Sequence, residues 1–423
     1  MLVRFLRDRR GSIAPLLAVA ALPLMMADGM AVDFGRASAA RASFQTAVDS
    51  TALMLSKKAA DMSSADLQAA ATSYLKALFV NPNAKNVTVS ATYSSKGGSQ
   101  VALTASATVP TSFLGLAGYG ELPISAQTNA IWGNNRLRVA LVLDNTGSMA
   151  SNDKMTALKT AAHNLLDQLQ KAASTSEDVY VSIIPFNKDV HVNTDPSASW
   201  LRWDLWDAEN GTCSVSKYHR QSSCTSNSGI WTPADHGTWN GCVTDRDQNY
   251  DTTNDVPVAG ATLYPAEQYS SCPTALIGLT NDWAALSSKI DAMQPNGNTN
   301  QAIGLQMGWQ SLTASPFTVP AFDSDYKYNQ VIILLTDGLN TEDRWYSSAS
   351  SINTREENTC ANIKAANITI YTVQVNTGSD PTSTLLQQCA SDASKFFLLT
   401  SSAQIVTTFN QIGTALSQLR LSM

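Results

Sequence analysis

Apolar and polar residues alternate with one set of periods before about residue 134 and with another after it. Residues 12–79 have a helical pattern: residues 36–61 are Ala-rich and lack a helix breaker, and Ser63 with Asp66 has the pattern of a helix cap. The segments that follow, up to residue 133, alternate apolar with small or polar residues around a Gly-containing turn. We therefore expect residues 36–133 to form a helical region followed by a small antiparallel sheet, a pilin-like α+β arrangement.

Long apolar runs begin at Arg136. The stretches "RVALVLD", "VYVSIIPF" and "NQVIILLTDG" are almost continuously apolar, which is typical of strands buried on both faces. The segments between them have apolar residues at helical spacing. This alternation predicts an α/β domain over residues 134–423, built on a doubly wound parallel sheet.

One segment, from about residue 193 to 273, interrupts the alternation. It has no clear periodicity, and it holds four of the six cysteines and five of the nine tryptophans. A segment of this length without a regular pattern is unusual in a compact domain and is often functional. We predict a disulfide-stapled insertion that acts as a lid. Its tryptophans form either the insertion's own core or an exposed binding surface.

The cysteines indicate disulfides in an exported protein. Their number is even, and none belongs to a CxxC motif, which argues against zinc ribbons and thioredoxin-type centres. The pairing within the insertion stays open among three possibilities, whereas the last two cysteines lie on late predicted helices and are candidates to pair with each other. The candidates are Cys213, Cys224, Cys242, Cys272, Cys360 and Cys389.

Composition and the N-terminal segment restrict the class of protein. Hydrophobic residues make up 44% of the chain, and the net charge is −6 without a basic stripe, so neither disorder nor nucleic-acid binding is expected. Residues 1–35 place four arginines before an apolar run, as in a cleaved signal peptide or a single-pass membrane anchor. We prefer the anchor, because the helical pattern continues beyond the run. The arginines then predict a cytoplasmic N-terminus, an inner-membrane span and a periplasmic location for the rest of the chain.

Oxygen-bearing side chains follow the predicted strands at the edge where doubly wound sheets bind ligands. Asp144, Thr146 and Ser148 end the first strand of the domain, Thr299 precedes a helix, and Asp337 ends a later strand. Carboxylate and hydroxyl oxygens suit a hard cation, Mg²⁺ above all, with Mn²⁺ or Ca²⁺ as alternatives. A largely neutral ligand shell would leave the ion electrophilic, with one position open for a carboxylate from another molecule.

Neighbouring residues suggest a ligand mouth but no catalytic centre. Asn145, Arg344 and Trp345 lie next to the predicted ligands, although Arg344 and Trp345 could instead pack the insertion against the domain. The sequence contains no HExxH, phosphate-binding loop or nucleophile elbow. We therefore predict no catalytic residue and expect a binding protein.

The stretches "DNTGSM", "NTN" and "LLTDG", in this order, resemble the metal-ion-dependent adhesion site of von Willebrand factor type A (VWA) domains. The family pattern has Ser at the position of Thr146, which keeps the hydroxyl. The resemblance implies that Thr146, Ser148 and Thr299 coordinate the metal. It also implies that Asp144 and Asp337 act directly or through water.

The N-terminal stretch from "RRGSIAPLLAVAALPL" to "AVDSTAL", together with "CANIKAANITIYTVQV", is similar to TadG-like proteins of the Flp, or tight-adherence, pilus system. This resemblance implies an inner-membrane-anchored protein linked to pilus assembly, with its A domain in the periplasm or reaching the surface. We predict a non-enzymatic binding protein of that system, whose metal takes an acidic residue from a pilus or envelope partner. Leu16 stands where prepilin peptidase substrates have Glu, so processing as a pilin is not expected. The alternatives are a structural pseudopilin-like component with a vestigial metal site and, less favoured, a metal-dependent hydrolase.

Overall fold

The computed structural model describes residues 13–56, 58–96, 98–133, 135–313, 316–378 and 381–421. These residues divide into two compact units, one before residue 134 and the other from Asn135 onward. Each unit has a hydrophobic core of its own.

The N-terminal unit packs helices on one antiparallel sheet. Apolar residues at helical spacing on the first helix, among them Phe44, Val48 and Leu55, are buried with Leu103 of the sheet. The second helix starts at the predicted cap, where the Ser63 hydroxyl accepts a hydrogen bond from the Asp66 amide at 3.2 Å. The sheet has the order β1-β2-β3. The elements are α1 (Ile13–Ser56), α2 (Ser64–Leu78), β1 (Lys85–Ser94), β2 (Ser99–Pro110) and β3 (Glu121–Trp132).

Within the described residues, no helix is both long enough and apolar enough to cross a membrane. The anchor over residues 1–35 stays a prediction, and residues 1–12 of it lie outside the described part. Asp33 is only 3% exposed, and its carboxylate accepts hydrogen bonds from the backbone amides of Ser112, Phe113 and Leu114. Residue 33 therefore belongs to the folded unit.

The C-terminal unit alternates strands and helices along most of its length. Its elements up to the end of the insertion are β4 (Asn135–Asp144), α3 (Lys154–Ala172), β5 (Val179–Phe186), β6 (Val190–His191), β7 (Leu201–Arg202), α4 (Asp204–Glu209), β8 (Gly211–Cys213), α5 (Gln221–Ser226), β9 (Trp231–Pro233), β10 (Cys242–Val243) and β11 (Tyr264–Glu267). Those that follow are β12 (Ile277–Thr280), α6 (Trp283–Ala292), α7 (Gln301–Thr313), β13 (Lys327–Thr336), α8 (Ala349–Ala365), β14 (Thr369–Val375), α9 (Thr384–Cys389), β15 (Phe396–Leu399) and α10 (Ala403–Leu421).

The sheet of this unit is mixed, not wholly parallel as predicted. Five strands, in the order β15-β14-β13-β4-β5, are parallel, and β6, β10, β11 and β7 extend the sheet beyond β5. Strand β4 lies inside the parallel part and is buried along its whole length. The continuous apolar run that predicted it therefore reflects cores on both faces.

Helices cover both faces of the parallel strands. Helices α3, α6 and α10 contribute to one core, and α7 and α8 contribute to the other. Helix α7 lies directly on β4, since a Cβ atom at Gly308 would stand only 2.5 Å from the Val142 side chain. Glycine at this position allows the close approach that places the loop before α7 beside the end of β4.

The insertion is not a separate lid, and this part of the prediction was wrong. Its strands β10, β11 and β7 continue the main sheet beyond β6, and β8 pairs with β9 in a small hairpin. Each of these strands has two to four residues, which is too short for a period to be visible in the sequence.

Candidate metal centre

The ends of β4 and β13 bring the predicted metal ligands together. The two strands are parallel neighbours, and Leu143 is in register with Leu335, so Asp144 and Asp337 leave the sheet at the same edge. The Thr146 and Ser148 hydroxyls lie 2.9 Å apart, and the Ser148 hydroxyl donates to Asp337 Oδ1 at 2.6 Å. Three of the five predicted ligands are therefore linked through their side chains, and Asp144 joins them by accepting from the Thr146 backbone amide.

Asp144 is the fully buried carboxylate of this cluster. Its Oδ1 accepts from the Thr146 amide at 2.8 Å, and its Oδ2 accepts from the Thr336 hydroxyl at 2.7 Å. Burial, followed by the nearby Asp337 carboxylate, raises the pKa of Asp144 to about 6. The Thr146 and Thr336 donors oppose this rise, so the site is built to stabilise a negative charge that burial disfavours.

Lys154 is a member of the cluster that the sequence analysis missed. Its Nζ donates to Asp337 Oδ2 at 2.6 Å, and both side chains are almost wholly buried. Lysine at the first position of a helix is unfavourable with respect to the helix dipole, and this was the available signal that Lys154 has a specific partner. With Asp144 ionised, two carboxylates and one ammonium leave one net negative charge.

Thr299 lies in a loop held beside the cluster. The Gly147 amide donates to the Gly297 carbonyl at 3.0 Å, and the Asn296 amide donates to the Asn145 carbonyl at 2.8 Å. Gly297 has a φ of +82°, and a Cβ atom there would meet Asn187 at 2.7 Å, so this turn requires glycine. The structure thus places the Thr299 loop against the Asp144–Ser148 loop, although no hydrogen bond joins Thr299 itself to the other predicted ligands.

The three predicted mouth residues lie in different environments, and their role at a ligand mouth stays a prediction. Asn145 is fully buried, and its amide donates to the Gln294 carbonyl at 2.5 Å, so it ties two loops together. Arg344 donates to the Asp245 carbonyl at 3.0 Å and to Asp247 at 2.7 Å, which attaches the insertion to the loop after β13. Trp345 is half-buried beneath the Arg344 guanidinium, whose carbon lies 4.9 Å from its ring centre. Ser148 is the exposed residue of the cluster.

All six cysteines form disulfides. The Cys360–Cys389 bond is the pairing that the sequence suggested. Within the insertion the pairs are Cys213–Cys224 and Cys242–Cys272. The prediction of a disulfide framework is confirmed.

The tryptophans of the insertion mostly form a core. Trp206 and Trp239 are 2% and 9% exposed, and Trp203 packs edge-on against both, with ring centres 5.5 and 5.3 Å away. His236 stacks on Trp203 at 3.7 Å. This cluster agrees with the first of the two alternatives, in which the tryptophans form the insertion's own core.

The cluster of Asp144, Thr146, Ser148 and Asp337 offers the kind of ligand atoms that a hard divalent cation prefers. Its polar atoms toward Ser148 are carboxylate and hydroxyl oxygens, and the hydroxyls keep lone pairs after donating their hydrogens. Lys154 occupies one oxygen of Asp337, so an ion at this site would share that carboxylate with an ammonium group.

Comparisons with known proteins agree with the fold and with the N-terminal resemblance. Residues 264–411 match the family model of the von Willebrand factor type A domain, and residues 11–56 match that of putative Flp pilus-assembly TadE/G-like proteins. The first match includes Thr299 and Asp337 but begins after Asp144, Thr146 and Ser148. No curated protein matches the chain.

Similar solved structures are distant. The pilus adhesin SpaC from Lactobacillus rhamnosus GG is 14% identical with a TM-score of 0.38, over 80% of this chain and only 35% of SpaC. The vWF domain of the type V pili tip protein Mfa5 from Porphyromonas gingivalis is 12% identical with a TM-score of 0.39, over 68% of this chain and 97% of that domain. Proximal thread matrix protein 1 from the mussel byssus, with a zinc-occupied MIDAS motif, is 13% identical with a TM-score of 0.35, over 67% of this chain and 46% of that protein.

Proposed function

We propose that this chain, which combines a von Willebrand factor type A domain with a TadE/G-like N-terminal segment, is a non-enzymatic binding protein of Flp pilus assembly. Its metal centre would hold Mg²⁺ and accept an acidic residue from a pilus or envelope protein. The observation that carries the proposal is the hydrogen-bonded chain from Thr146 through Ser148 to Asp337, at the edge where β4 and β13 end.

The roles follow from the position of each side chain. Ser148, Thr146 and Thr299 would supply neutral oxygens, and the buried Asp144, held by Thr336, would act through water. The exposed side of Ser148 leaves the open coordination position toward solvent. A carboxylate from a partner could complete the shell there, and its negative charge would be balanced by the ion.

The proposed location is the cell envelope, outside the cytoplasm. The TadE/G-like match supports an envelope role, and three disulfides suit an oxidising compartment such as the periplasm. The proposal of binding without catalysis rests on the contacts of the cluster. Asp144 and Asp337 both accept hydrogen bonds, and the Lys154 ammonium donates to Asp337. None of these three groups is therefore free to transfer a proton to or from a substrate.

The test is capture of envelope proteins by the full-length chain, together with pilus assembly in cells. We compare wild type in Mg²⁺, wild type in EDTA, and Asp144→Ala, with the exposed Asp167→Ala on α3 as the matched control. The proposal expects a partner that is lost in EDTA and in Asp144→Ala but retained in the control, and pilus assembly that fails only in Asp144→Ala. Capture and assembly that are equal in all conditions would contradict it.

A further inference from the structure

A second group of buried oxygens lies where the insertion joins the main sheet. Strands β6 and β10 are antiparallel, with Val190 paired to Val243, so Asp189 and Thr244 stand opposite each other at the next position. Asp245 follows Thr244 and is 5% exposed. None of these residues belongs to the Asp144–Asp337 cluster.

Asp189 and Thr244 have buried side chains whose hydrogen-bonding capacity is not met within the described residues. Both side chains are 0% exposed, and neither the two carboxylate oxygens of Asp189 nor the Thr244 hydroxyl has a hydrogen-bond partner among the described residues. Buried polar atoms in native proteins are nearly always paired, and an unpaired carboxylate is the costliest exception. The Asp189 carboxylate and the facing Thr244 hydroxyl are therefore a candidate site for a ligand.

The surrounding charges are predominantly negative. Burial raises the pKa of Asp189 well above its ordinary value, the Glu267 and Asp245 carboxylates add to this rise, and Lys188 and the Thr244 hydroxyl oppose it. Lys188 does not neutralise Asp189 directly, because its ammonium group pairs with Glu267. Three carboxylates and one ammonium leave an excess of two negative charges when all are ionised.

Protonation alone does not satisfy the site. A neutral Asp189 would lose its charge and could accept from the Thr244 hydroxyl, but its own O–H would still lack an acceptor among the described residues. A cation, in contrast, would offset the charge and could bind the oxygens of both side chains. Asp245 is held next to this pair, since its Oδ2 accepts from the Asn300 side-chain amide at 2.8 Å and from the Arg344 backbone amide at 3.2 Å.

A cleft brings solvent close to these residues. It has a volume of about 590 Å³ and is lined on one side by Lys188 and Glu267 and on the other by Asp343 and Arg344. Lys188 precedes Asp189 in the chain, and Arg344 contacts Asp245 directly. The cleft gives an ion and its waters a route toward the buried oxygens.

We propose that Asp189, Thr244 and Asp245 form a second cation site, which takes a hard divalent ion and fastens the insertion to the sheet. Ca²⁺ is the ion of choice, because it accepts a bidentate carboxylate, hydroxyl oxygen and water in flexible geometry. The proposed second site lies close to the first. Asn300, whose side chain donates to Asp245, follows Thr299 in the chain. The backbone amide of Asn300 donates to the Asn187 carbonyl at 3.0 Å.

The experiment measures Ca²⁺ binding by calorimetry in full-length chain that has been stripped with EDTA. Every protein carries Asp144→Ala, which removes metal binding at the first site. Any Ca²⁺ binding that is measured then reports on the second site alone. The background protein is expected to bind one Ca²⁺ per chain, and addition of Asp189→Asn is expected to abolish that binding. The added control, the exposed Asp167→Asn on α3, should leave binding unchanged.

A second measurement separates loss of binding from loss of folding. Ca²⁺ should raise the Tm of the Asp144→Ala background and leave the Tm of the Asp144→Ala/Asp189→Asn protein unchanged. If the latter does not fold in EDTA, Asp144→Ala/Thr244→Val replaces it, with an expected weakening of Ca²⁺ binding by at least about tenfold, roughly the effect of losing one ligand. No Ca²⁺ binding by the background protein, or binding unaffected by both substitutions, would overturn the proposal.

Discussion

Two buried oxygen clusters lie near the same edge of the sheet, and they differ in how their charges are compensated. In the first, all four carboxylate oxygens of Asp144 and Asp337 have hydrogen-bond donors, one of them the Lys154 ammonium. In the second, both oxygens of Asp189 have none among the described residues. Equal burial therefore has different consequences. If both proposals hold, the first cluster would be stable without its ion and could exchange it, whereas the second would keep its cation bound.

The largest expected contrast comes from removing one acid of each cluster in EDTA. Asp337→Ala leaves the Lys154 ammonium buried without a partner, which should lower the free energy of unfolding by about 3–5 kcal/mol. Asp189→Asn removes an unpaired charge and should leave the free energy unchanged or raise it. Urea unfolding followed by tryptophan fluorescence measures both. An equal loss in the two variants would mean that the clusters do not differ in this way.

Removal of the Cys242–Cys272 disulfide should affect the second cluster alone. The bond closes a loop of 30 residues, so its loss should lower the free energy of unfolding by about 3–4 kcal/mol. Because Cys242 lies two positions before Thr244, the loss should also weaken Ca²⁺ binding. The matched control is removal of Cys213–Cys224, which closes a loop of only 11 residues. That control should retain Ca²⁺ binding, and Mg²⁺ binding at the first cluster should survive in both variants. Loss of Mg²⁺ binding in the first variant would show that the clusters are not independent.

Glu356 combines the two kinds of environment, because one of its oxygens accepts from Asn340 at 2.7 Å and the other has no hydrogen-bond partner among the described residues. Burial raises the pKa of Glu356 from its ordinary 4.5 to about 8. The unfolded chain releases this proton above pH 4.5 and the folded chain holds it up to about pH 8, so the stabilisation that it gives is lost as the pH rises through this window.

Between pH 5.5 and 7.5, wild type should therefore lose roughly 2 kcal/mol more of its free energy of unfolding than Glu356→Gln does. Parallel pH profiles of the two proteins would contradict the assigned protonation of Glu356.

The smallest expected effect concerns Lys154. Its ammonium group competes with a divalent ion for Asp337 Oδ2, and its charge repels the ion. Lys154→Met should tighten Mg²⁺ binding about tenfold, or roughly 1.4 kcal/mol. Lys171→Met, at the exposed end of the same helix, should leave the affinity unchanged. Weaker Mg²⁺ binding in Lys154→Met would mean that the ammonium helps to organise the site.

Much of the first cluster could be predicted from the sequence because its residues follow long strands directly. The apolar runs that end at Asp144 and Asp337 are visible in the sequence, and parallel neighbours must bring their ends together. Lys154 was missed because its partner is far along the chain. Asn145 was assigned to a mouth, although its side chain turns inward to Gln294.

The second cluster could not be predicted, because the pairing of β6 with β10 creates it. Two-residue strands leave no periodic signal, and Asp189 and Thr244 are separated by the irregular insertion. The same brevity explains why a mixed sheet was predicted to be parallel and an extension of the sheet was predicted to be a lid.

The most direct test of the central claim is a calorimetric titration of the full-length chain with Mg²⁺, in an Asp189→Asn background that silences the second cluster. We expect one Mg²⁺ per chain, with binding abolished by Asp144→Ala and weakened by Thr299→Ala. Absence of Mg²⁺ binding, or binding that persists unchanged in Asp144→Ala, would contradict the assignment of the oxygens around Ser148 to a metal that takes a partner's carboxylate.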